Sequence, residues 1–142
     1  GDSPVLIKTS DPDVWVSPEH NVRSNRAEAD AAIKLGGIVQ SGYLFKSYSG
    51  PGLHMSRAFG DSALHSVLNR EPEIFTLNLN KYSWVLVATD GAFDPAHTDT
   101  KAKGYVAWQI THGFLPTAQD VVDRATAART GDNVTAILWR PE

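Results

Sequence analysis

The sequence predicts an α+β fold built on antiparallel strands, and three features predict it. First, Trp84-Val85-Leu86-Val87-Ala88 is an apolar run that ends in Thr89-Asp90-Gly91, the pattern of a central strand buried on both faces. Second, the strand candidates are joined by short turns, not by the long crossovers of a doubly wound parallel sheet. Third, three helix patterns interrupt the strands, each bounded by residues that cap or break helices.

Residues 5–8 and 14–16 read as two strands joined by the turn Ser10-Asp11-Pro12-Asp13. A helix is predicted from Arg26 to Leu35. Asn25 can cap it, Glu28 takes the capping-box position three residues later, and Gly36-Gly37 end it. Ile38-Val39 and Tyr43-Leu44-Phe45 are candidate short strands. The glycines, proline and serines between Gln40 and Gly52 mark a mobile loop. A brief helical turn is expected within Ser62–Leu68. Glu73 to Asn80 alternates, with Phe75, Leu77 and Leu79 on one face, and reads as a half-exposed strand. Lys81-Tyr82-Ser83 would turn it back to pair with Trp84–Ala88. Lys101 to His112 is a further helix candidate, weakened by Gly104 and closed by Gly113. The next helix is capped by Thr117, with Asp120 three residues on, and Ala118, Val121, Val122 and Ala125 form its apolar face. Arg124 and Arg129 suit the negative end of its dipole, and Gly131 stops it. Val134 to Trp139 is the last strand.

A length of 142 residues points to a single domain over residues 1–142, long enough to bury a core. No apolar run approaches the roughly 20 residues that span a bilayer, and no secretory signal is visible. A net charge of −3 without a basic run argues against a nucleic-acid partner. The absence of cysteine removes disulfides, zinc fingers and a thiol nucleophile, and it fits a cytoplasmic protein. A metal site would have to use oxygen or histidine ligands, and the 16 acidic residues make oxygen the abundant donor.

Three acids share a placement. Asp2 precedes a strand, Asp90 follows one, and Asp132 precedes one. Such positions in an antiparallel sheet can gather at one edge, where hard carboxylates suit magnesium or manganese. Taken singly, each is more often a turn residue. Their order along the chain adds to the signal: Gly1-Asp2-Ser3, His20, Gly36-Gly37, Ser56-Arg57-Ala58-Phe59-Gly60-Asp61, Glu71-Pro72-Glu73, Ala88-Thr89-Asp90-Gly91-Ala92-Phe93-Asp94, and Asp132-Asn133-Val134-Thr135. This succession resembles the second half of the metal-dependent protein phosphatases of type 2C, over nearly the whole chain. The resemblance implies two packed antiparallel sheets flanked by helices, an α-β-β-α sandwich of which this chain supplies roughly the second half. It also implies hydrolysis of phosphoserine and phosphothreonine in proteins by a water that a binuclear magnesium or manganese centre activates. Asp90 and Asp132 match two acids of that centre. Asp2 matches the acid that helps hold a weaker third ion in some members, and Asp94 and Asp61 occupy motif positions near the site. The loop 36–53 falls where the family has its flap. Lys46 lies within it, where an exposed lysine is ordinarily only solvated.

The family's Asp-Gly-His-Gly-Gly stretch does not occur in this sequence. That stretch carries the metal-bridging acid and the histidine read as general acid, and an arginine that grips phosphate precedes it. The histidines His20, His54, His65, His97 and His112 lie in other contexts and read as structural or surface groups. The expectation is therefore a partial catalytic domain, inactive alone, completed by an N-terminal half elsewhere. Such a part would leave an exposed apolar sheet face. Two alternatives stand beside it. One is a phosphatase-like binding or regulatory module without catalysis. The other is a haloacid-dehalogenase-like phosphatase, for which Asp90-Gly91 and Asp94 fit, but whose upstream nucleophile would have to come from the poorly suited Asp11-Pro12-Asp13.

Overall fold

The computed structural model describes residues 3–11, 13–93, 117–127 and 130–142. The fold is α+β, with two antiparallel sheets and, among the described residues, two α-helices. Contacts divide the chain into two compact units. One is Pro18–Phe75, and the other is Ser3–Ser17 with the described part of Thr76–Glu142.

The first unit begins with α1 (Arg26–Lys34). Asn25 caps it as predicted: its side chain accepts from the Ala27 amide at 3.1 Å and the Glu28 amide at 3.4 Å. The helix ends in a Schellman pair, Gly37 N–H to Ala32 O and Gly36 N–H to Ile33 O, both at 2.9 Å. Gly36 has φ +89°, a conformation that side-chain-bearing residues rarely adopt. The chain then forms β1 to β3 of a three-stranded antiparallel sheet: Ile38–Gln40, Tyr43–Phe45 and Gly52–Leu53. The candidate strands at 38–39 and 43–45 are thus paired, and Gly52–Leu53 adds a third strand. Leu44, Val22, Ala29, Ala32, Leu64, Val67 and Leu68 close the core of this unit. The brief helical turn expected within 62–68 is Ser62–Leu64.

The second unit holds a four-stranded antiparallel sheet. Its strands are β4 (Val5–Lys8), β5 (Val14–Val16), β6 (Trp84–Ala88) and β7 (Ala136–Trp139), in the spatial order β5-β4-β6-β7. Helix α2 (Ala118–Ala127) buries Val121 and Ala125. Thr117 caps it, accepting from the Asp120 amide at 3.2 Å while its hydroxyl bonds the Asp120 carboxylate. Val121 joins Leu6, Leu86, Ala88, Ala92 and Phe93 in the core of this unit.

Two sequence expectations change here. Residues 73–80 form no strand, although they alternate. Strand β6 has two edges, and β4 takes one while β7 takes the other, so no edge is left for a hairpin partner. Strand β6 is central, as predicted, yet it is not buried on both faces. Leu86 is fully buried, while Val87 is 41% exposed. Val87 pairs with Ile137, itself 64% exposed, and Val85 pairs with Trp139, 51% exposed. Alternation along paired strands puts these side chains on one face, which is therefore an open apolar surface. The helix candidate Lys101–His112 lies outside the described residues. No helix among the described residues is long and apolar enough to cross a membrane.

Candidate functional site

In the second unit, β6 delivers Asp90 at its C-terminal end, in a short turn of Asp90–Ala92. The antiparallel pairing of Ala88 with Ala136 sets the end of β6 beside the start of β7, and Asp132 lies just before that start. The two turns are fastened together through Thr89. Its amide donates to Thr135 O at 3.0 Å. Its hydroxyl donates to Asn133 O and accepts from the Thr135 amide, both at 3.1 Å. Gly91 makes this approach feasible, because a β-carbon there would stand 2.4 Å from Asn133 O and 3.2 Å from Asp132 Cβ. The Asp90 carboxylate accepts from its neighbour's amide, Gly91, at 3.0 Å, and Asp132 from Asn133 at 2.7 Å. Two of the five predicted acids are thus gathered at one end of one sheet. Asp61 belongs to the first unit, exposed and in the left-handed region at φ 56°, with no side-chain cap bond. Asp2 and Asp94 lie outside the described residues.

The first unit holds a polar cluster that the sequence did not disclose. The segment 54–57 runs between residues 20–22 and Asn69: Val22 N–H bonds His54 O at 2.8 Å, Ser56 N–H bonds His20 O at 2.9 Å, and Asn69 N–H bonds Ser56 O at 3.0 Å. This brings His20, Arg57 and Glu73 together with Glu28 of α1. The Arg57 guanidinium donates to both Glu28 oxygens (Nε to Oε2 at 3.1 Å, Nη2 to Oε1 at 2.5 Å), to Glu73 Oε1 at 2.7 Å and to Glu71 O at 3.0 Å. The Ser56 hydroxyl also donates to Glu28. The Glu28 side chain is only 9% exposed and that of Arg57 15%. Glu28 was expected to reach back to the helix N-terminus; instead it turns inward to the charge-assisted bonds of the Arg57 guanidinium, and the Asn25 amide it would have met donates to Asn21 O at 3.0 Å.

Burial is the largest single influence on Glu28 and pushes its carboxyl up. The hydrogen bonds from Arg57 and Ser56, with the charges of Arg57 and His20, outweigh it and hold Glu28 below the usual carboxylate range. Glu73 is lowered against the same opposition, by His20 and Arg57. The guanidinium of Arg57 is raised, chiefly by its hydrogen bond to Glu28. Both carboxyls titrate lower folded than unfolded, so their stabilisation is complete above the ordinary value of 4.5 and is lost as pH falls through the lowered folded values. The urea midpoint is expected to drop below about pH 4.5, and Glu28→Gln to flatten that drop while lowering the neutral-pH midpoint.

Ligand atoms of His20, Glu28 and Glu73 lie within 4.8 Å of one another, a spacing that one cation could span. A guanidinium already lies against both carboxylates, so a divalent ion there would face its positive charge. We read this cluster as an ion-pair network with a resident cation.

A family model described as protein phosphatase 2C matches residues 1–134. The chain belongs to the protein phosphatase 2C family. Solved structures agree on the fold. A sex-determining protein of C. elegans superposes with TM-score 0.66 at 23% identity, over 97% of this chain and 34% of that one. A phosphatase from a pathogenic strain of Toxoplasma gondii gives 0.63 at 25%, over 97% and 45%. The serine-threonine phosphatase 2C of Toxoplasma gondii gives 0.66 at 21%, over 97% and 51%. This chain therefore spans about a third to a half of the lengths of these proteins. A search among curated proteins returned no match. Membership in the protein phosphatase 2C family sets aside the haloacid-dehalogenase-like reading, and Asp11 and Asp13 sit in or beside the β4–β5 turn, not at the exit of a buried strand.

Proposed function

We propose that this chain supplies the metal-binding acids of a protein serine/threonine phosphatase domain, and that Asp90 and Asp132 each give a carboxylate to a magnesium or manganese centre. The observation that carries this reading is the fastening of the two turns through Thr89 and Gly91, which holds two hard oxygen donors at one sheet end. The donor set suits those ions and offers none of the sulfur that softer metals prefer. When bound, the ions supply positive charge that acidifies water and offsets the charge of a phosphate. The chain's own part is to keep the two carboxylates close and rigid. Asp2, Asp61 and Asp94 are carried as supporting acids on the family's motif order, which also places a third ion near Asp2.

The substrate class is phosphoserine and phosphothreonine in proteins, and the setting is intracellular. The residues 36–53 serve as the flap. The open apolar face around Val87, Ile137 and Trp139 suits a second sheet that completes the domain. That sheet would also bring the Asp-Gly-His-Gly-Gly stretch this sequence lacks.

Calorimetric titration with manganese tests the site. Asp90→Asn and Asp132→Asn are each expected to weaken binding by roughly 10- to 100-fold, the loss typical of damage to a metal site. The chain alone is expected to show negligible manganese-dependent turnover of a phosphopeptide. A polypeptide carrying the complementary half should restore it, and Asp90→Asn should abolish the restored activity. Unchanged manganese affinity in both variants would remove these acids from the centre.

A further inference from the structure

Helix α2 reaches both of the turns that carry Asp90 and Asp132. Val121 and Ala125 stand one helical turn apart on its buried face, and both are fully buried. The helix packs against the turn Asp90–Ala92. Gly91, Ala92 and Phe93 are buried beneath that turn, and Val121 shares a core with Ala92 and Phe93. This contact fixes how deep the turn sits, and so where Asp90 stands. The other turn is reached from the C-terminal half of the helix. The Thr130 amide donates to Ala125 O at 3.1 Å. The Thr130 hydroxyl in turn accepts from the Asp132 amide at 3.3 Å. The helix also packs along β7, the strand that follows Asp132.

We propose that α2 is the buttress that sets the spacing of Asp90 and Asp132, with Val121 and Thr130 as its positioning residues. The inference rests on reading those two acids as ligands of one metal centre. Thr89 ties one turn to the other. Helix α2 ties both turns to the core, one by packing and the other by a relay of two hydrogen bonds. Neither Val121 nor Thr130 is itself a ligand. Each acts through the backbone of the turn it supports. Truncating Val121 opens a void under Ala92 into which the Asp90 turn can sink. Removing the Thr130 hydroxyl hands the Asp132 amide to water and releases its turn from the end of the helix. The effect on a metal is larger than the effect on stability, because magnesium-like ions tolerate little error in the placement of oxygen ligands.

Calorimetric titration of the full chain with manganese, beside urea denaturation, tests the buttress. Thr130→Val keeps the side-chain shape and is expected to weaken binding about tenfold, the lower end of losses seen when a group supporting a ligand is removed. Thr130→Ser keeps the hydroxyl and should bind within about twofold of the parent chain. Val121→Ala is expected to weaken binding about tenfold as well. Leu64→Ala, in the core of the first unit, is the control: it should lower the urea midpoint and leave the affinity alone. Where Val121→Ala fails to fold, Thr130→Val decides, since its side chain is only half-buried. Unchanged affinity in Thr130→Val would overturn the buttress. So would equal losses in Thr130→Val and Thr130→Ser, or a loss in Leu64→Ala as large as in Val121→Ala. If Asp90→Asn and Asp132→Asn weaken binding while Thr130→Val does not, the buttress falls and the metal centre stands. If the two aspartate variants bind as the parent does, the metal centre falls and the buttress with it.

Discussion

Replacing Arg57 with alanine is expected to destabilise the chain by about 3–5 kcal/mol, the range for removing one partner of a buried ion pair. The reason is what it leaves behind. Glu28, 9% exposed, would keep only the Ser56 hydroxyl and lose every bond from the guanidinium. An unpaired buried carboxylate must either take a proton or draw in water, and both routes loosen the packing around it. The same change frees the Glu71 carbonyl and the Glu73 carboxylate, so α1, the bridge at 54–57 and the segment after Asn69 come apart together. Arg57→Lys should recover less than half of the loss, because a point charge cannot span both Glu28 oxygens and a carbonyl at once. Arg26 is the control. It pairs with Asp30 one helical turn away, with side chains 89% and 47% exposed, and Arg26→Ala should cost no more than about 0.5 kcal/mol. Urea denaturation of the three variants checks the ranking. Equal losses for Arg57→Ala and Arg26→Ala would show that the cluster contributes no more than a surface pair.

The contrast between Arg57 and Arg26 also shows where sequence reading succeeds. Local signals were legible. Asn25 and Thr117 cap their helices, Gly36-Gly37 close α1, and the strands at 5–8, 14–16 and 84–88 stand where the pattern put them. Each depends on neighbours within one turn of chain. Glu28 was misassigned for the complementary reason. Its position after Asn25 fits a capping box, while its real partner is 29 residues away, at a distance no local pattern encodes. The only clue was Arg57 itself, the one cation in Ser56-Arg57-Ala58-Phe59-Gly60-Asp61. The strand expected at 73–80 failed on topology, since alternation records which residues could share a face but not whether a sheet edge is free. Val87 shows the same limit in reverse. An unbroken apolar run suggests cover on both sides, and nothing among the described residues buries that side chain. Asp90 and Asp132 each flank a strand, and the antiparallel pairing of adjacent β6 and β7 is what brings their two turns to one sheet end.

Gly91→Ala is expected to weaken manganese binding by about tenfold or more and to lower stability by about 1–3 kcal/mol. A β-carbon at this position would meet Asn133 O at 2.4 Å and Asn133 C at 3.1 Å. Both are backbone atoms, so neither can rotate out of the way as a flexible side chain would. The turn carrying Asp90 and the turn carrying Asp132 must separate by a large part of an ångström, against the three hydrogen bonds that Thr89 makes to Asn133 and Thr135. Stability falls because those bonds stretch. Metal affinity falls further, because oxygen ligands to magnesium stand near 2.1 Å with little tolerance, and ligands held apart cannot both reach one centre. Gly60→Ala is the matched control, since a β-carbon there meets nothing within 4 Å. Manganese titration and thermal unfolding of the two variants separate the effects. A drop in stability without a drop in affinity would mean that the close approach of the two turns serves packing alone, and that Asp90 and Asp132 do not serve a common metal centre.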